Sequence, residues 1–339
     1  MRRPEGISVI VCCYNSVERI TPTFQHLFRQ NVTQGFDWEI ILVDNNSSDN
    51  TSQKSEELYI QSDSSIPFKV VSEPNPGLSN ARQAGFDSSK YEIVLMVDDD
   101  NWLSSNYLDG IWNAFQKDDA IGMVGGLGNP ELSRPAPEWF ERYAYCYATG
   151  PQTEDGEAGI TEHLYGAGLA LKLSVLDRLK ANGFTSLLSD RIGNSLMSGG
   201  DTELCFAFRM AGAKLYYEPS ITFQHELPQE RIDWAYLRRL FHGFGLTKAT
   251  LDMYTACINE YDIPIDGKLP FWFNRMVYLA IKLLPDLPLL IHSKVARLDG
   301  NRKLLFTLGK VGQLQAILMM RKDFITKYEA VYRLSESLK

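Results

Sequence analysis

Residues 92–100 read Glu-Ile-Val-Leu-Met-Val-Asp-Asp-Asp, an apolar run that passes directly into three carboxylates. A short apolar run rich in branched side chains is typical of a buried strand. No turn-forming residue follows the run, so the acidic triplet is predicted to lie at the carboxyl end of that strand. Because alternate residues of an extended chain point the same way, we expect Asp98 and Asp100 to face one site and Asp99 to point away from it.

Strand and helix signals alternate through the first hundred residues. Buried strands are predicted at 7–11, 39–43, 68–71 and 92–97, and helices at 17–30, 50–60 and 79–87. This alternation indicates βαβ units, so we expect an α/β fold with a mainly parallel central sheet flanked by helices. In such a sheet, ligands bind beyond the carboxyl ends of the strands.

The pattern of the remaining chain is less regular. Residues 121–165 are rich in glycine, proline and tyrosine and are predicted to form a long irregular connection. The elements predicted beyond it are a core run at 166–171, helices at 173–182 and 201–211, a loop at 184–200 and a strand at 214–217. From residue 231 onward the pattern is helical. We therefore divide the chain into an α/β domain of residues 1–230 and a helical C-terminal region of residues 231–339.

The charge of the chain differs between these two parts. Residues 1–230 carry 17 Lys/Arg and 32 Asp/Glu, whereas residues 231–339 carry 17 Lys/Arg and 10 Asp/Glu, so that −15 and +7 give the net charge of −8. An acidic body lacks the clustered basic residues that bind nucleic acid, and we expect no nucleic-acid partner. The basic C-terminal region suits an anionic membrane surface or an acidic substrate, with a solvated helical face as the alternative.

The cysteines and the hydropathy pattern bear on location. The chain has five cysteines, two of them adjacent at Cys12 and Cys13, which fits neither a disulfide framework nor a zinc site. The apolar segment near the N-terminus is too short for a signal peptide, so we expect a cytoplasmic protein. Residues 271–291 are apolar but interrupted by Arg275, Lys282 and Asp286, and a spanning helix needs about 20 mostly uncharged residues. This segment is predicted to be either an interfacial helix or an ordinary core-facing helix.

Polar residues follow all four predicted N-terminal strands. They are Tyr14 and Asn15 after the first, Asp44 after the second, the turn 73–77 after the third and Asp98 after the fourth. Their common position at one sheet edge predicts a single site. Three adjacent carboxylates repel one another unless a cation is present, and Mg²⁺ or Mn²⁺ binds carboxylate and phosphate oxygens. The alternative for the acidic triplet is a solvated loop ahead of a helix cap.

Four further residues are candidates for chemistry. Asp44 could accept hydrogen bonds from a base or ribose, although an Asx turn is the alternative. Arg82 opens a helix and suits a phosphate, with a surface arginine as the alternative. Asp201 is either a helix cap or the general base of a transfer reaction. His225 is either a core histidine or a metal ligand.

These residues together resemble the family-2 glycosyltransferases of the GT-A fold. The resemblance covers about residues 7–230 and rests on an ordered set of motifs at 9–15, 40–51, 77–85, 96–100, 166–168, 200–204 and 225. Two positions depart from the family pattern. Cys12 stands where the family usually has proline, and the acidic pair before the second site is here Gly200-Asp201, which leaves Asp201 as the one candidate base in that position.

The resemblance implies an inverting hexosyltransferase that uses a nucleotide-sugar donor and a divalent cation, Mn²⁺ or Mg²⁺, held by a DXD motif. It implies donor contacts from Tyr14, Asn15, Asp44, Arg82, Asp98 and Asp99. It implies metal ligands at Asp98, Asp100 and His225, and Asp201 as the catalytic base. The acceptor side is expected near Glu203 and Trp234, with a polysaccharide or lipid-linked glycan as acceptor and peripheral membrane contact through the C-terminal region.

Three other functions remain open at the level of sequence. A nucleotidyltransferase shares the carboxylate-held metal, but it usually has a glycine-rich basic loop after the first strand, where this chain reads Cys12 to Glu18 without glycine or basic residues. A glycoside hydrolase uses two carboxylates but does not need nucleotide contacts. A non-catalytic nucleotide- or carbohydrate-binding protein would not need both Asp100 and Asp201.

Overall fold

The computed structural model describes residues 3–188, 199–259 and 271–339. Its strands are β1 (Ile7–Cys13), β2 (Trp38–Asp44), β3 (Phe68–Ser72), β4 (Ile93–Asp98), β5 (Asn101–Leu103), β6 (Ile121–Leu132), β7 (Gly159–Thr161), β8 (Leu169–Lys172) and β9 (Lys214–Leu227). Its helices are α1 (Ile20–Phe28), α2 (Thr51–Gln61), α3 (Leu78–Ser88), α4 (Tyr107–Gln116), α5 (Leu173–Ala181), α6 (Gly200–Met210), α7 (Trp234–Ile258), α8 (Phe271–Leu283), α9 (Leu287–His292), α10 (Arg302–Met319) and α11 (Phe324–Leu338). Short 3₁₀ helices cover Glu141–Tyr147 and Leu284–Asp286. Part of the predicted loop at 184–200 lies outside the described residues.

One mixed sheet forms the centre of the molecule, in the order β3-β2-β1-β4-β8-β6-β9-β5, with β7 paired to β9. The strands β1 to β4 are parallel to one another, as the βαβ pattern predicts. Beyond β4 the sheet is mixed rather than mainly parallel, because β8 runs antiparallel to both β4 and β6. The regular βαβ spacing ends at β4, and the chain reaches β8 only after β5, α4, β6 and β7. The predicted α/β fold with flanking helices is confirmed.

The prediction of an irregular connection at 121–165 is wrong for its first part, where β6 runs over twelve residues. Glycines interrupt the hydrophobic pattern of this strand, so the sequence pattern does not predict it. They are required there, because a Cβ on Gly126 would lie 2.6 Å from the Ile221 carbonyl oxygen and one on Gly128 2.2 Å from that of Ala148. The strand predicted at 214–217 likewise extends to Leu227 as β9.

Both faces of the sheet are buried. On β1, Val9 belongs to the core shared with α1 and α4, and the next residue, Ile10, belongs to the core on the opposite face. That second core also contains Tyr254 of α7 and Tyr328 of α11. The helical C-terminal region therefore shares this core with the sheet, and α7 packs against α6 and α10.

Candidate active site

A large cleft of about 2520 Å³ opens at the carboxyl ends of the parallel strands. One wall comes from the ends of β1, β2 and β4 and from the start of α3, and it includes Asn15, Arg82 and the acidic triplet. The opposite wall comes from α7 and from the segments around Tyr147 and His163. The strand ends thus meet at one site, as the sheet topology requires.

The three aspartates of the triplet have different surroundings. The Asp98 side chain is partly exposed in the cleft, whereas Asp99 and Asp100 are buried. Asp99 accepts hydrogen bonds from the Ser16 hydroxyl and from Arg19 Nη2, the latter at 2.6 Å. Asp99 therefore ties β4 to the loop after β1. Asp99 also borders the cleft, and its expected contact with the donor stays a prediction.

Asp100 faces His225 across the paired strands β5 and β9. The Asp100 Oδ1 atom lies 3.6 Å from His225 Nε2, and Asp100 Oδ2 accepts a hydrogen bond of 3.0 Å from Arg231 Nη1. His225 Nδ1 donates to the Tyr147 carbonyl oxygen at 2.8 Å. Because a carbonyl oxygen only accepts, this bond fixes the proton on Nδ1 and turns Nε2 toward the carboxylate.

Burial and neighbouring charges shift the pKa values of Asp98 and Asp100 in opposite directions. Burial, reinforced by the nearby charge of Asp100, raises the pKa of Asp98 to about 6. Burial also opposes ionisation of Asp100, but the charges of His225 and Arg231 outweigh it and hold the pKa of that carboxyl below its ordinary value. Asp100 therefore keeps its charge to a lower pH than Asp98 does.

The surroundings of Asp100 fit a divalent cation. A carboxylate oxygen suits Mn²⁺ or Mg²⁺, and an imidazole nitrogen is a donor more typical of transition-metal ions, which favours Mn²⁺ of the two. A histidine ligand usually donates its other ring N–H to a backbone carbonyl, as His225 does to Tyr147. Within residues 3–188, 199–259 and 271–339, no three acidic, histidine or cysteine side chains are gathered closely enough to hold a metal as they stand. Two donors are therefore in place, and Asp98 lies on the adjacent cleft surface.

The structure brings Asp201 together with Arg82, 119 positions away in the chain. Asp201 lies in the first turn of α6, and its Oδ1 forms an ion pair with Arg82 Nη1. Its carboxylate lies over Gly166, where an added Cβ would be 2.0 Å from Oδ2. The Asp201 side chain is about one-third exposed and faces the cleft. A carboxylate held by a guanidinium and still open to the cleft suits a general base.

The loops after β1 and β2 are joined to each other. Asn15, with a backbone φ of 51°, accepts a hydrogen bond of 2.8 Å from the Ser48 amide, and the exposed Tyr14 borders the cleft. Asp44 accepts hydrogen bonds within its own loop, from the Ser47 amide and the Ser52 hydroxyl. Asn45 rather than Asp44 lines the cleft. The Asx-turn interpretation of Asp44 therefore describes its present contacts, and its contact to a nucleobase stays a prediction.

Glu203 does not lie on the acceptor side, contrary to expectation. Its side chain is fully buried, where it accepts hydrogen bonds from Ser186 Oγ (2.5 Å), Leu187 N (2.8 Å), Leu188 N (3.1 Å) and Tyr254 Oη (2.7 Å). Burial raises the pKa of this carboxyl. Residues two apart on a helix point in nearly opposite directions, so Asp201 faces the cleft and Glu203 faces the protein interior.

Trp234 was also expected on the acceptor side, but it lies in a hydrophobic core. It is only 8% exposed and belongs to a hydrophobic core with Phe140 and Leu237. Its ring meets that of Trp139 edge to face at 5.5 Å between centroids. Trp234 begins α7, and the residues that line the cleft lie further along this helix, on another face.

The sequence prediction missed several cleft residues. His163 Nε2 lies 2.9 Å from Thr202 Oγ1, beside Asp201, and burial lowers the pKa of this histidine. Arg19 and Arg231 each contact one aspartate of the triplet. Arg231 itself begins the basic and aromatic stretch 231–239, for which the family resemblance implies a place near the leaving diphosphate or acceptor, and that role stays a prediction. Nothing in the sequence around His163 indicates its place.

The inner stripe of α7 forms the far wall of the cleft. Its lining residues recur at helical spacing and are Tyr236, Leu240, Phe244, Thr247, Leu251 and Thr255, flanked by Arg239 and Lys248. From Tyr236 to Thr255 this stripe extends for about 28 Å along the helix. The C-terminal region is therefore part of the cleft.

Comparison with known proteins gives the family. Residues 8–176 match the family model described as glycosyl transferase family 2. The chain is 22% identical over 294 residues to a glucosyl-dolichyl phosphate glucuronosyltransferase of Haloferax volcanii, an alignment that covers 83% of this chain and 86% of the relative. It is 30% identical over 129 residues to a poly-beta-1,6-N-acetyl-D-glucosamine synthase of Staphylococcus epidermidis, covering 38% of this chain but only 29% of the synthase.

A solved structure supports the fold. The mannosyltransferase PcManGT from Pyrobaculum calidifontis, in complex with GDP-Man and Mn²⁺, superposes with a TM-score of 0.54 at 16% sequence identity, covering 100% of this chain and 85% of that one. At this identity the likeness concerns the fold. With the family match over residues 8–176, it identifies the chain as a glycosyltransferase of family 2 with the GT-A fold.

Proposed function

We propose that this glycosyltransferase is metal-dependent and inverting, and that it moves a sugar from a nucleotide-diphosphate sugar to a hydroxyl of a glycan or lipid-linked acceptor. The observation that carries the proposal is the arrangement of the cleft. Asp100 with His225 lies on one side, and Asp201 with Arg82 lies on another, both open to the same space.

In this proposal the donor occupies the side formed by the parallel strands. Asp100 and His225 would hold Mn²⁺ or Mg²⁺ together with Asp98, and a bound cation would stabilise the negative charge of the departing nucleoside diphosphate. Asn15, Asn45 and the start of α3 would surround the nucleotide, with Tyr14 at the rim and Asp44 behind. Asp99 would act indirectly, because it fixes Ser16 and Arg19 beside the triplet.

Asp201 would accept the proton of the acceptor hydroxyl. Arg82 holds the carboxylate through Oδ1, which leaves Oδ2 to take the proton as the acceptor oxygen attacks the anomeric carbon. A single displacement of this kind inverts the anomeric configuration. Gly166 provides the space in which this carboxylate lies.

We further propose a division of labour along the chain. Residues 1–230 would bind the donor and supply the base, and residues 231–339 would form the acceptor wall through α7. No helix of the described residues is long and apolar enough to cross a membrane. For a lipid-linked acceptor we propose peripheral contact of the C-terminal region with the cytoplasmic face of the membrane.

The purified protein would be incubated with a panel of nucleotide sugars and acceptor extracts, with and without Mn²⁺, while release of nucleoside diphosphate is followed. We expect release that depends on both the metal and one class of donor, and Asp100→Asn should lose metal-dependent donor binding. Absence of metal-dependent release with every donor would contradict the proposal. Release of pyrophosphate from a nucleoside triphosphate would instead favour nucleotidyl transfer.

A further inference from the structure

The outer side of α8 and α9 exposes an unusual density of apolar side chains. Among the described residues, sixteen large hydrophobic side chains are exposed, and seven of them fall within the nineteen positions 277–295. We call these seven the 277–295 surface: Val277, Tyr278, Ile281, Leu284, Leu287, Ile291 and Val295. Contiguous exposed apolar residues at this density indicate an interaction site.

Two charged residues of this segment, Arg275 and Asp286, are paired with residues of neighbouring helices. Arg275 Nη2 forms an ion pair with Asp252 Oδ2 of α7 at 3.1 Å. Asp286 is buried and is bound by Lys303 Nζ and Lys310 Nζ, each at 3.0 Å. An ordinary surface helix turns its apolar stripe to the core and its charges to water. Here Asp286 is buried and Arg275 is paired at the junction with α7, while the apolar stripe faces out.

The charge around the 277–295 surface is positive. Residues 271–303 carry six Lys/Arg and two Asp/Glu, and one of the two acids, Asp286, is buried. The exposed basic residues are Lys282, Lys294, Arg297, Arg302 and Lys303. Apolar side chains that enter the acyl boundary, together with basic side chains at headgroup level, form the pattern of a helix lying on an anionic membrane. The described helices do not span a membrane, which agrees with this parallel orientation.

The 277–295 surface is connected to the cleft. Asp252, the partner of Arg275, lines the cleft on α7 with Leu251 and Lys248. Gln313 of α10 donates to the same carboxylate at 2.8 Å. The ion pair thus places the start of α8 beside the acceptor end of the cleft, so that a bilayer against α8 and α9 would lie next to the α7 wall.

We propose that the 277–295 surface docks on a bilayer with anionic headgroups and holds the cleft against the membrane. This inference deepens the proposed peripheral contact and rests on the proposed function only for the identity of the acceptor. It names the surface, its orientation and the lipid chemistry. Charge complementarity favours an anionic lipid surface over a second copy of this chain, whose matching face would be equally basic.

The test is co-sedimentation of the full chain with vesicles of phosphatidylcholine alone or with phosphatidylglycerol added. We expect binding to the anionic vesicles, weakened by salt, and at least tenfold weaker binding to phosphatidylcholine alone. The triple variant Ile281→Ser/Leu284→Ser/Leu287→Ser and the double variant Lys294→Gln/Arg297→Gln should each weaken binding by roughly tenfold or more. Circular dichroism and thermal melting would confirm that the variants are folded.

The matched controls lie on α1 and α2. Ile60→Ser removes a side chain that is 76% exposed, and Arg29→Gln/Lys54→Gln removes two basic charges. These controls should bind vesicles as the wild type does. Absence of binding to anionic vesicles would overturn the proposal, and so would binding by the triple or the double variant that equals that of the wild type. Self-association of the chain that the triple variant abolishes would also overturn it. Release of nucleoside diphosphate without vesicles tests the proposed function separately.

Discussion

A single glycine determines where the proposed base can lie. A methyl group on Gly166 would overlap the Asp201 carboxylate, so Gly166→Ala should displace that carboxylate while leaving the donor side intact. A displacement of about 1 Å can cost roughly 10²-fold in rate, and we expect turnover to fall by about that factor with little change in donor affinity. Steady-state kinetics with calorimetric donor binding would check this. The control Gly159→Ala adds a methyl group where no atom lies within 4 Å, and equal kinetics for the two variants would contradict the expectation.

Glu203 is predicted to matter for stability rather than for acceptor recognition. In Glu203→Gln, an amide NH₂ replaces one of two oxygens that together accept four hydrogen bonds. We expect the free energy of unfolding to fall by about 1–3 kcal/mol, because buried donors lose their partner. Urea denaturation measures the change, with exposed Glu56→Gln as the control. A loss of acceptor affinity without loss of stability would show that the structural role is wrong.

The site residues show what sequence can and cannot predict at this scale. The acidic triplet, Asp201 and His225 were predicted as candidates because each follows or begins a regular element in a motif. The contact between Arg82 and Asp201 joins residues 119 positions apart, and no local pattern encodes it. The present contacts of Asp44 match the Asx-turn alternative, because neighbouring serines compete locally for its carboxylate.

At the scale of elements, periodicity predicted the strands and helices of the first hundred residues to within a few positions. It failed for β6, because a strand whose glycines allow close approach of neighbouring backbones lacks the usual apolar signal. It also left two interpretations of residues 271–291 open. Sequence spacing identified one polar stripe, but only the packing of α8 and α9 on α10 shows that Arg275 and Asp286 lie on the protein side.

The buried carboxylate of Asp286, in the turn between α8 and α9, should contribute to the stability of the fold. Lys310 and Lys303 hold the pKa of Asp286 below its ordinary value. A lowered carboxyl pKa in the folded state stabilises the fold above the unfolded pKa, about 3.9, and this stabilisation is lost as the pH falls through the folded pKa. Asp286→Asn should therefore lower the free energy of unfolding by about 1–3 kcal/mol at neutral pH, and the difference should shrink in acid. Urea titrations from pH 7 to pH 3 would check this, and exposed Asp299→Asn is the control. A difference that does not change with pH would contradict the charge-based explanation.

At the scale of the whole molecule, the cleft is assembled from three parts of the chain. The parallel strands bring the acidic triplet, β8 and α6 bring Gly166 and Asp201 to its side, and α7 closes the far wall. The sequence predicted the first two parts through motif order and strand-end geometry. It assigned residues 231–339 only a general membrane or acceptor role, since the face that α7 turns to the cleft depends on its packing against α10 and α6.

The separation of donor side and base is the central claim, and Asp201→Asn tests it most directly. Turnover and donor binding would be measured on the same preparation, in the presence of Mn²⁺. Because asparagine keeps the shape but cannot accept a proton, we predict a fall in kcat of about 10²–10⁴-fold, with donor affinity near that of the wild type. A variant that keeps most of its activity, or that loses donor binding in proportion to turnover, would contradict the assignment of Asp201 as the base.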